Sequence, residues 1–259
     1  LPLTAWAELL APVAPYFTDY LQQPEDGPPW WEINLERRYG EITVPMYHVT
    51  SWYDIFLHGG LANFSGLRRE AMTDTARAAQ KLLVGPWAHL FPYTNPTSTG
   101  TGDIDFGAQA LINLHEIQLR WFDHWLKGID TGILDEPPVK IFVMGENRWR
   151  DEREWPLART RSTPYYFHSD GRANTASGAD TVSGAGVLSP HPPGDESPDH
   201  FVYDPDDPVP TRGGNTLIIA MGVQDQRSVE TRDDVLVYTS AVVTDALEVT
   251  GPLAVTLYA

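Results

Sequence analysis

The chain has 259 residues, enough for one large domain or two ordinary ones, and 42% of them are hydrophobic, as in globular proteins that bury a core. Thirty-five acidic against eighteen basic residues give a formal charge of -17, which argues against a nucleic-acid or anionic-membrane partner because both are polyanions. The chain has no cysteine, so disulfides and thiolate metal sites are excluded, and the cellular compartment cannot be read from cysteine usage.

The length of the apolar runs and the N-terminal residues give some indication of the cellular location. No run approaches the roughly 18 apolar residues of a membrane span, and the N-terminus has neither the basic start nor the cleavage pattern of a signal peptide. The first residue is Leu1 rather than Met, which suggests that the chain begins inside a longer protein. A cytoplasmic location is the expectation, and secretion stays open.

Residues 1–40 are expected to form short helices and loops. Helix-forming residues lie at 5–10, but prolines at six positions keep every segment short: Pro2, Pro12, Pro15, Pro24, Pro28 and Pro29. This piece has too little regular periodicity to fold alone.

A β-α-β pattern follows. The apolar, β-branched run at residues 44–51 predicts a strand, residues 56–64 predict a helix, and residues 81–84 predict a second strand after a helix or loop. Small residues in the first helix would let it approach the sheet closely. Strands joined in this way are expected to be parallel.

Each predicted strand ends in a tight turn marked by aromatic residues, and each turn presents one polar side chain. These side chains are Asp54 and His89, and we interpret them as two members of a catalytic triad that meet at the rim of the sheet. Two simpler interpretations stay open at this point: an aspartate after a strand is often a helix cap or a turn residue, and a histidine after Gly-Pro-Trp is often a packed loop residue.

The second half of the chain begins with a strong helix and then turns to period-two patterning. The helix is predicted from an apolar stripe with a glycine stop, comprising Leu111, Leu114, Leu119, Trp121, Phe122, Trp125, Leu126 and Gly128. We expect its aromatic face to lie on the sheet. After a linker at 129–138, short strands are predicted at 139–144, 165–167, 201–203, 216–219, 235–238 and 253–258. They indicate an all-β sandwich of jelly-roll type, with residues 173–199 as a surface loop.

No metal or cofactor is expected. His115 and His124 are nine residues apart on one helix and therefore point in opposite directions. The acidic loop at Asp204, Asp206 and Asp207 could bind Ca²⁺, but a proline-broken acidic loop is usually just solvated.

Five separated motifs now allow a comparison with a known family. They are Ser-Trp-Tyr-Asp54-Ile-Phe, Gly85-Pro-Trp-Ala-His89, Leu119-Arg-Trp-Phe-Asp-His-Trp-Leu-Lys-Gly128, Val143-Met-Gly-Glu-Asn-Arg-Trp-Arg150 and Asp225-Gln-Arg-Ser-Val-Glu230. In this order they resemble the α/β-hydrolase family of X-prolyl dipeptidyl aminopeptidases, cocaine esterase and α-amino-acid ester hydrolases. Within the last motif, Arg227 and Glu230 look like a structural salt-bridge corner.

The resemblance implies an architecture and a site. Residues 1–40 would be the end of a helical cap, 41–135 the second half of an α/β-hydrolase domain, and 136–259 a jelly-roll β-sandwich, incomplete at its C-terminus. Asp54 and His89 match the family's triad acid and histidine, in the expected chain order. Phe56 matches a position that lines the acyl pocket in some members, although core packing would explain it nearly as well. Trp52 and Trp87 are expected to buttress the two turns.

One departure from the family is large. Its nucleophile lies in a Gly-x-Ser-x-Gly elbow, and no such motif occurs in residues 1–259. The expected function is therefore hydrolysis of ester or amide bonds, X-Pro dipeptidyl or acyl ester, by Ser-His-Asp acyl transfer, with the serine outside this chain and the chain alone inactive. The alternative is a non-catalytic product whose jelly roll serves as a binding or assembly module. Expected partners are a small-molecule ester or peptide substrate and, where the chain self-associates, a second copy.

Overall fold

The computed structural model describes residues 2–89, 94–174, 186–217 and 219–258. Its α-helices are α1 (Ala7–Leu10), α2 (Tyr16–Gln22), α3 (Pro28–Trp31), α4 (Leu57–Glu70), α5 (Asp74–Ala78), α6 (Leu114–Lys127) and α7 (Arg227–Glu230). Its strands are β1 (Tyr47–Tyr53), β2 (Lys81–Ala88), β3 (Gly100–Thr101), β4 (Ile104–Asp105), β5 (Val139–Val143), β6 (Arg148–Glu152), β7 (Tyr166–His168), β8 (Gly186–Ser189) and β9 (Tyr238–Thr239). Short 3-10 helices cover Leu3–Trp6, Leu35–Glu41 and Ala108–Ala110.

A four-stranded sheet forms the centre of the fold, with strand order β1-β2-β5-β6. Strands β1 and β2 are parallel, as predicted, and their register pairs Tyr47 with Lys81. The connection between them carries α4 and α5, so the predicted β-α-β unit is confirmed. Strand β5 is parallel to β2, and β6 is antiparallel to β5.

Helices cover both faces of this sheet. Side chains alternate along β2, so this strand presents apolar residues to the helices on each face. Leu82 and Val84 point to the face where Phe64 of α4 packs. Leu83 points to the other face, where it packs with Leu114 of α6. Strand β2 is thus buried on both sides, which explains its continuous apolar sequence.

Helix α6 has the predicted helix signals, but its apolar stripe is narrower than predicted. The Asn113 side chain caps its N-terminus, and Gly128 ends it in a left-handed conformation with φ of 69°. Trp121 is buried against the sheet side and makes an edge contact with the Tyr47 ring at 5.5 Å. Three residues predicted to widen the buried stripe are instead exposed: Leu119, Phe122 and Leu126.

The strand predicted at 139–144 exists as β5, but its assignment to the β-sandwich is wrong. It belongs to the central sheet, where Val139, Ile141 and Phe142 are almost fully buried. A short, mostly apolar strand of this kind, interrupted here by Lys140 alone, is typical of the interior of a parallel sheet. The polar strand β6, which the sequence analysis missed, follows as the antiparallel edge of the same sheet. The division into 1–40, 41–135 and 136–259 otherwise stays a prediction.

The C-terminal part contains a three-stranded sheet in the order β7-β8-β9. The strand predicted at 165–167 is confirmed as β7, and that at 235–238 is reduced to β9. Strand β8 lies in the stretch assigned to a surface loop. Residues 201–203 and 253–258 are not strands in the described structure, because no neighbouring strand pairs with them and their apolar side chains are exposed. Of the strand predicted at 216–219, residue 218 lies outside the described residues, and the other three are not in a strand.

Candidate active site

Asp54 lies in the turn between β1 and α4. Its backbone N–H donates to the Ser51 carbonyl at 3.0 Å, which closes the turn. Its Oδ1 accepts the backbone N–H of Phe56 at 2.8 Å, so the carboxylate also fixes the approach to the helix. The side chain is 8% exposed. Asp54 is therefore a turn residue and not the cap of α4, whose N-cap is Phe56 without a side-chain hydrogen bond, and Oδ1 has a further partner.

His89 follows the end of β2. The preceding residue, Ala88, pairs with Tyr53 after an irregularity in the β1–β2 register. The Ser51 hydroxyl donates to the Ala88 carbonyl at 2.9 Å, which ties the last peptide of β2 to β1. Because β1 and β2 are parallel, the residues that follow them lie at the same edge of the sheet.

The two side chains meet at this edge. His89 Nδ1 lies 3.0 Å from Asp54 Oδ1, across a sequence separation of 35 residues. An ionised carboxylate only accepts hydrogen bonds, so this contact requires a proton on Nδ1. In neutral imidazole Nε2 is then the basic nitrogen. The imidazole is 20% exposed, so it lies near the surface while its carboxylate partner is buried.

Phe56 lies beside the histidine and is not part of a core. Its ring centroid is 5.3 Å from that of His89, in an edge-on arrangement, and the residue is 61% exposed. Among the described residues the Phe56 side chain joins no buried cluster, so the core-packing explanation has no support there. An exposed ring next to the imidazole offers apolar surface to a bound molecule.

The two tryptophans buttress the turns, as expected. Trp52 Nε1 donates to the Phe142 carbonyl at 2.7 Å, and Trp87 Nε1 donates to the Ala110 carbonyl at 3.1 Å. The Trp87 ring covers Gly85, where an added Cβ would lie 2.2 Å from the ring atoms. Only glycine fits there without displacing the indole.

Two hydroxyl residues near the site escaped the sequence analysis. Ser51 and Thr101 are buried, and each donates to a carbonyl of the segment that leads to His89. The available signal for Ser51 was its place near the end of the strand that leads to Asp54. Thr101 gave none, because it lies in a Gly- and Thr-rich stretch that looks like an ordinary loop.

Metal ligands and membrane-spanning helices can be considered for the described part of the chain. There, no group of three or more His, Asp or Glu side chains is arranged to hold a metal ion. No helix within the same ranges has the length and apolar character needed to cross a membrane.

Comparisons with known proteins place the chain in a family. Residues 3–91 match the model of the X-Pro dipeptidyl-peptidase (S15 family), and residues 131–259 match the model of the X-Pro dipeptidyl-peptidase C-terminal non-catalytic domain. A cocaine esterase from Rhodococcus sp. is 37% identical over 256 residues, which are 96% of this chain and 42% of the esterase. The chain belongs to the X-Pro dipeptidyl-peptidase and cocaine esterase family. The resemblance seen in the motifs is therefore confirmed. Relatives in this family are hydrolases.

A further relative is similar in sequence, and one solved structure is similar in fold. A putative serine esterase from Mycobacterium tuberculosis is 30% identical over 217 residues, 82% of this chain and 30% of that protein. The crystal structure of an aminopeptidase from the marine sediment archaeon Thaumarchaeota archaeon superimposes with a TM-score of 0.61 at 22% identity, covering 91% of this chain and 37% of that chain. The likeness supports an α/β-hydrolase part followed by a β domain. The chain spans less than half the length of these relatives.

Proposed function

We propose that Asp54 and His89 are the acid and the base of a Ser-His-Asp triad that hydrolyses ester or amide bonds. The observation that carries the proposal is the 3.0 Å contact between His89 Nδ1 and Asp54 Oδ1 at the carboxyl edge of two parallel strands. Ligands and catalytic groups of α/β proteins collect at this edge. Since no Gly-x-Ser-x-Gly occurs in residues 1–259, the nucleophilic serine is proposed to lie outside them.

The proposed chemistry is acyl transfer. His89 Nε2 takes the proton of the serine hydroxyl as the oxygen attacks the substrate carbonyl, and Asp54 stabilises the imidazolium that forms. The imidazolium then gives the proton to the leaving alcohol or amine, and an acyl-enzyme remains. In the second half, His89 removes a proton from water, the hydroxide attacks the acyl carbonyl, and the serine oxygen leaves and takes the proton back.

The substrate class rests on Phe56 and on the family. The exposed ring beside His89 is proposed to contact the acyl group, which favours an apolar acyl ester over a charged one. The test is to compare turnover of X-Pro amides, p-nitrophenyl esters and amino-acid esters by the whole polypeptide that includes the serine. The fastest turnover is expected for p-nitrophenyl esters whose acyl group is apolar. Activity on X-Pro amides alone would contradict the apolar acyl pocket.

A second candidate is a non-catalytic product, and the missing serine elbow is the observation that favours it. Under this alternative the C-terminal part is proposed to be a jelly-roll binding or assembly module, and its non-catalytic character is supported by the match of residues 131–259 to a domain described as non-catalytic. Labelling with a fluorophosphonate separates the candidates because the reagent needs an activated serine. The 259-residue chain should not label. The product of the full reading frame should label at a Gly-x-Ser-x-Gly serine if the enzyme proposal is right, and should stay unlabelled if the alternative is right.

A further inference from the structure

The segment that leads to His89 is held by hydroxyl groups on two sides. The Ser51 hydroxyl donates to the Ala88 carbonyl at 2.9 Å from the neighbouring strand. The Thr101 hydroxyl donates to the Pro86 carbonyl at 2.8 Å from the short β3–β4 hairpin. Both donors are buried, so neither carbonyl bond is readily replaced by solvent. The position of His89 therefore depends in part on where Thr101 lies.

Thr101 is in turn held by the C-terminal part of the chain. The Val223 N–H donates to the Thr101 carbonyl at 3.3 Å, and the Asp103 N–H donates to the Val223 carbonyl at 2.6 Å. Asp103 Oδ2 also accepts the backbone N–H of Asp225 at 3.0 Å, across 122 residues of sequence. Three hydrogen bonds thus join the hairpin to residues 223–225.

The β3–β4 hairpin and residues 222–225 also approach each other closely. A Cβ added at Gly222 would lie 2.0 Å from Thr101 Cγ2, and one added at Gly102 would lie 2.0 Å from the Val223 carbonyl oxygen. Both glycines have positive φ, 83° and 68°, so side chains are disfavoured there by conformation and by space. The two backbones can approach in this way only because both positions are glycine.

The Asp225 motif supplies the anchor for this contact. The Asp225 carboxylate accepts the backbone N–H of Arg227 at 3.0 Å and pairs with its guanidinium. The predicted salt-bridge corner therefore joins Arg227 to Asp225 rather than to Glu230. The Asp225 carboxylate thus binds Arg227, while its backbone N–H donates to Asp103 Oδ2.

We infer that Thr101 is a positioning residue for His89, and that residues 222–225 of the C-terminal part hold Thr101 in place. This inference rests on the proposed catalytic role of His89. It assigns a part in the active site to a region that matches a domain described as non-catalytic. Thr101 fixes the Pro86 carbonyl, the end of β2 keeps its place, and the imidazole keeps its Nδ1–H directed at Asp54.

The test measures the tautomer of His89 in the 259-residue chain, which needs no serine. Long-range ¹H–¹⁵N correlations of ¹⁵N-histidine-labelled protein at alkaline pH report which ring nitrogen carries the proton, and His89→Gln assigns the signals. The wild type should be predominantly the Nδ1–H tautomer. In Thr101→Val the ratio of Nδ1–H to Nε2–H should fall about fivefold, the factor that corresponds to one hydrogen bond of about 1 kcal/mol.

Three further variants make the result specific. Thr101→Ser keeps the hydroxyl and should restore the wild-type ratio. Asp103→Ala removes one link to residues 223–225 while leaving the Thr101 hydroxyl, and should shift the ratio in the same direction as Thr101→Val; it also decides the matter if Thr101→Val fails to fold. Thr160→Val is the control, because the Thr160 hydroxyl also donates to a backbone carbonyl, that of Thr250 at 2.8 Å, and takes no part in the contacts that lead to His89. This control should leave the ratio unchanged.

The outcomes separate the inference from the proposed function. An unchanged ratio in Thr101→Val and Asp103→Ala, with the Nδ1–H tautomer present in the wild type, overturns the positioning role and leaves the triad proposal standing. A wild type in which His89 is predominantly the Nε2–H tautomer overturns both. If the tautomer ratio in Thr160→Val changes as much as in Thr101→Val, a general loss of rigidity in the protein explains the change. This result also overturns the positioning role of Thr101.

Discussion

Replacing Asp54 by Asn isolates the electrostatic part of the proposed mechanism. The amide oxygen can still accept the Phe56 N–H, so the turn into α4 should form. What is lost is the negative charge 3.0 Å from His89 Nδ1. At an effective dielectric constant of about 20, opposite unit charges at this distance attract by about 5 kcal/mol. The imidazolium that forms during acyl transfer would lose stabilisation of this size, which corresponds to roughly 10⁴-fold in kcat.

The assay is steady-state hydrolysis of a p-nitrophenyl ester by the whole polypeptide that includes the serine, with urea unfolding measured in parallel. Asp130→Asn is the matched control, because the Asp130 carboxylate accepts the N–H of Gly132 at 3.1 Å in the same type of turn, away from His89. Both variants should have a urea unfolding midpoint close to that of the wild type, and only Asp54→Asn should lose activity. A loss of less than about tenfold in kcat would refute the assignment of Asp54 as the triad acid.

Three other changes have definite expected outcomes. Phe56→Ala removes an exposed ring, so it should raise KM for aryl esters roughly three- to tenfold, the range of one aromatic contact, without moving the urea midpoint; an unchanged KM contradicts its role in the acyl pocket. Phe142→Ala empties a fully buried site in the central sheet and should lower the unfolding free energy by about 3–5 kcal/mol, whereas Phe201→Ala, at an exposed site, should change it by less than about 0.5 kcal/mol. Burial lowers the pKa of His48 from its ordinary 6.5. The contribution of the neutral His48 imidazole to folding stability is therefore fully present above pH 6.5 and is lost as the pH falls through the lowered pKa. The free energy of unfolding in urea should depend less on pH across this range in His48→Gln than in the wild type. An identical pH dependence in both proteins would contradict the buried neutral imidazole.

The candidate pair was readable from the sequence because each member depends on a short stretch. A β-branched strand followed by an aromatic turn places Asp54, and the same pattern places His89. The capping signals of α6 were equally local, and Gly128 ends the helix as predicted. These features need only a few neighbouring residues to specify them.

What the sequence did not reveal depends on distant partners. Strand β6 is polar and forms because β5 offers it a backbone ladder, and nothing in its own residues indicates this. The exposure of Leu119 on α6 depends on which elements pack around the helix. The contact between Asp103 and Asp225 joins residues 122 positions apart, which no local pattern reports.

The place of β5 and β6 in the central sheet affects how the C-terminal module can be prepared by itself. The match to the C-terminal domain begins at residue 131, yet Val139–Val143 lies inside the sheet that carries Asp54 and His89. A protein cut at 131 would take this hairpin away from β2 and leave Ile141 and Phe142, now almost fully covered, open to water. Such a truncated module is expected to aggregate, and one that starts after Glu152 leaves the hairpin with its sheet.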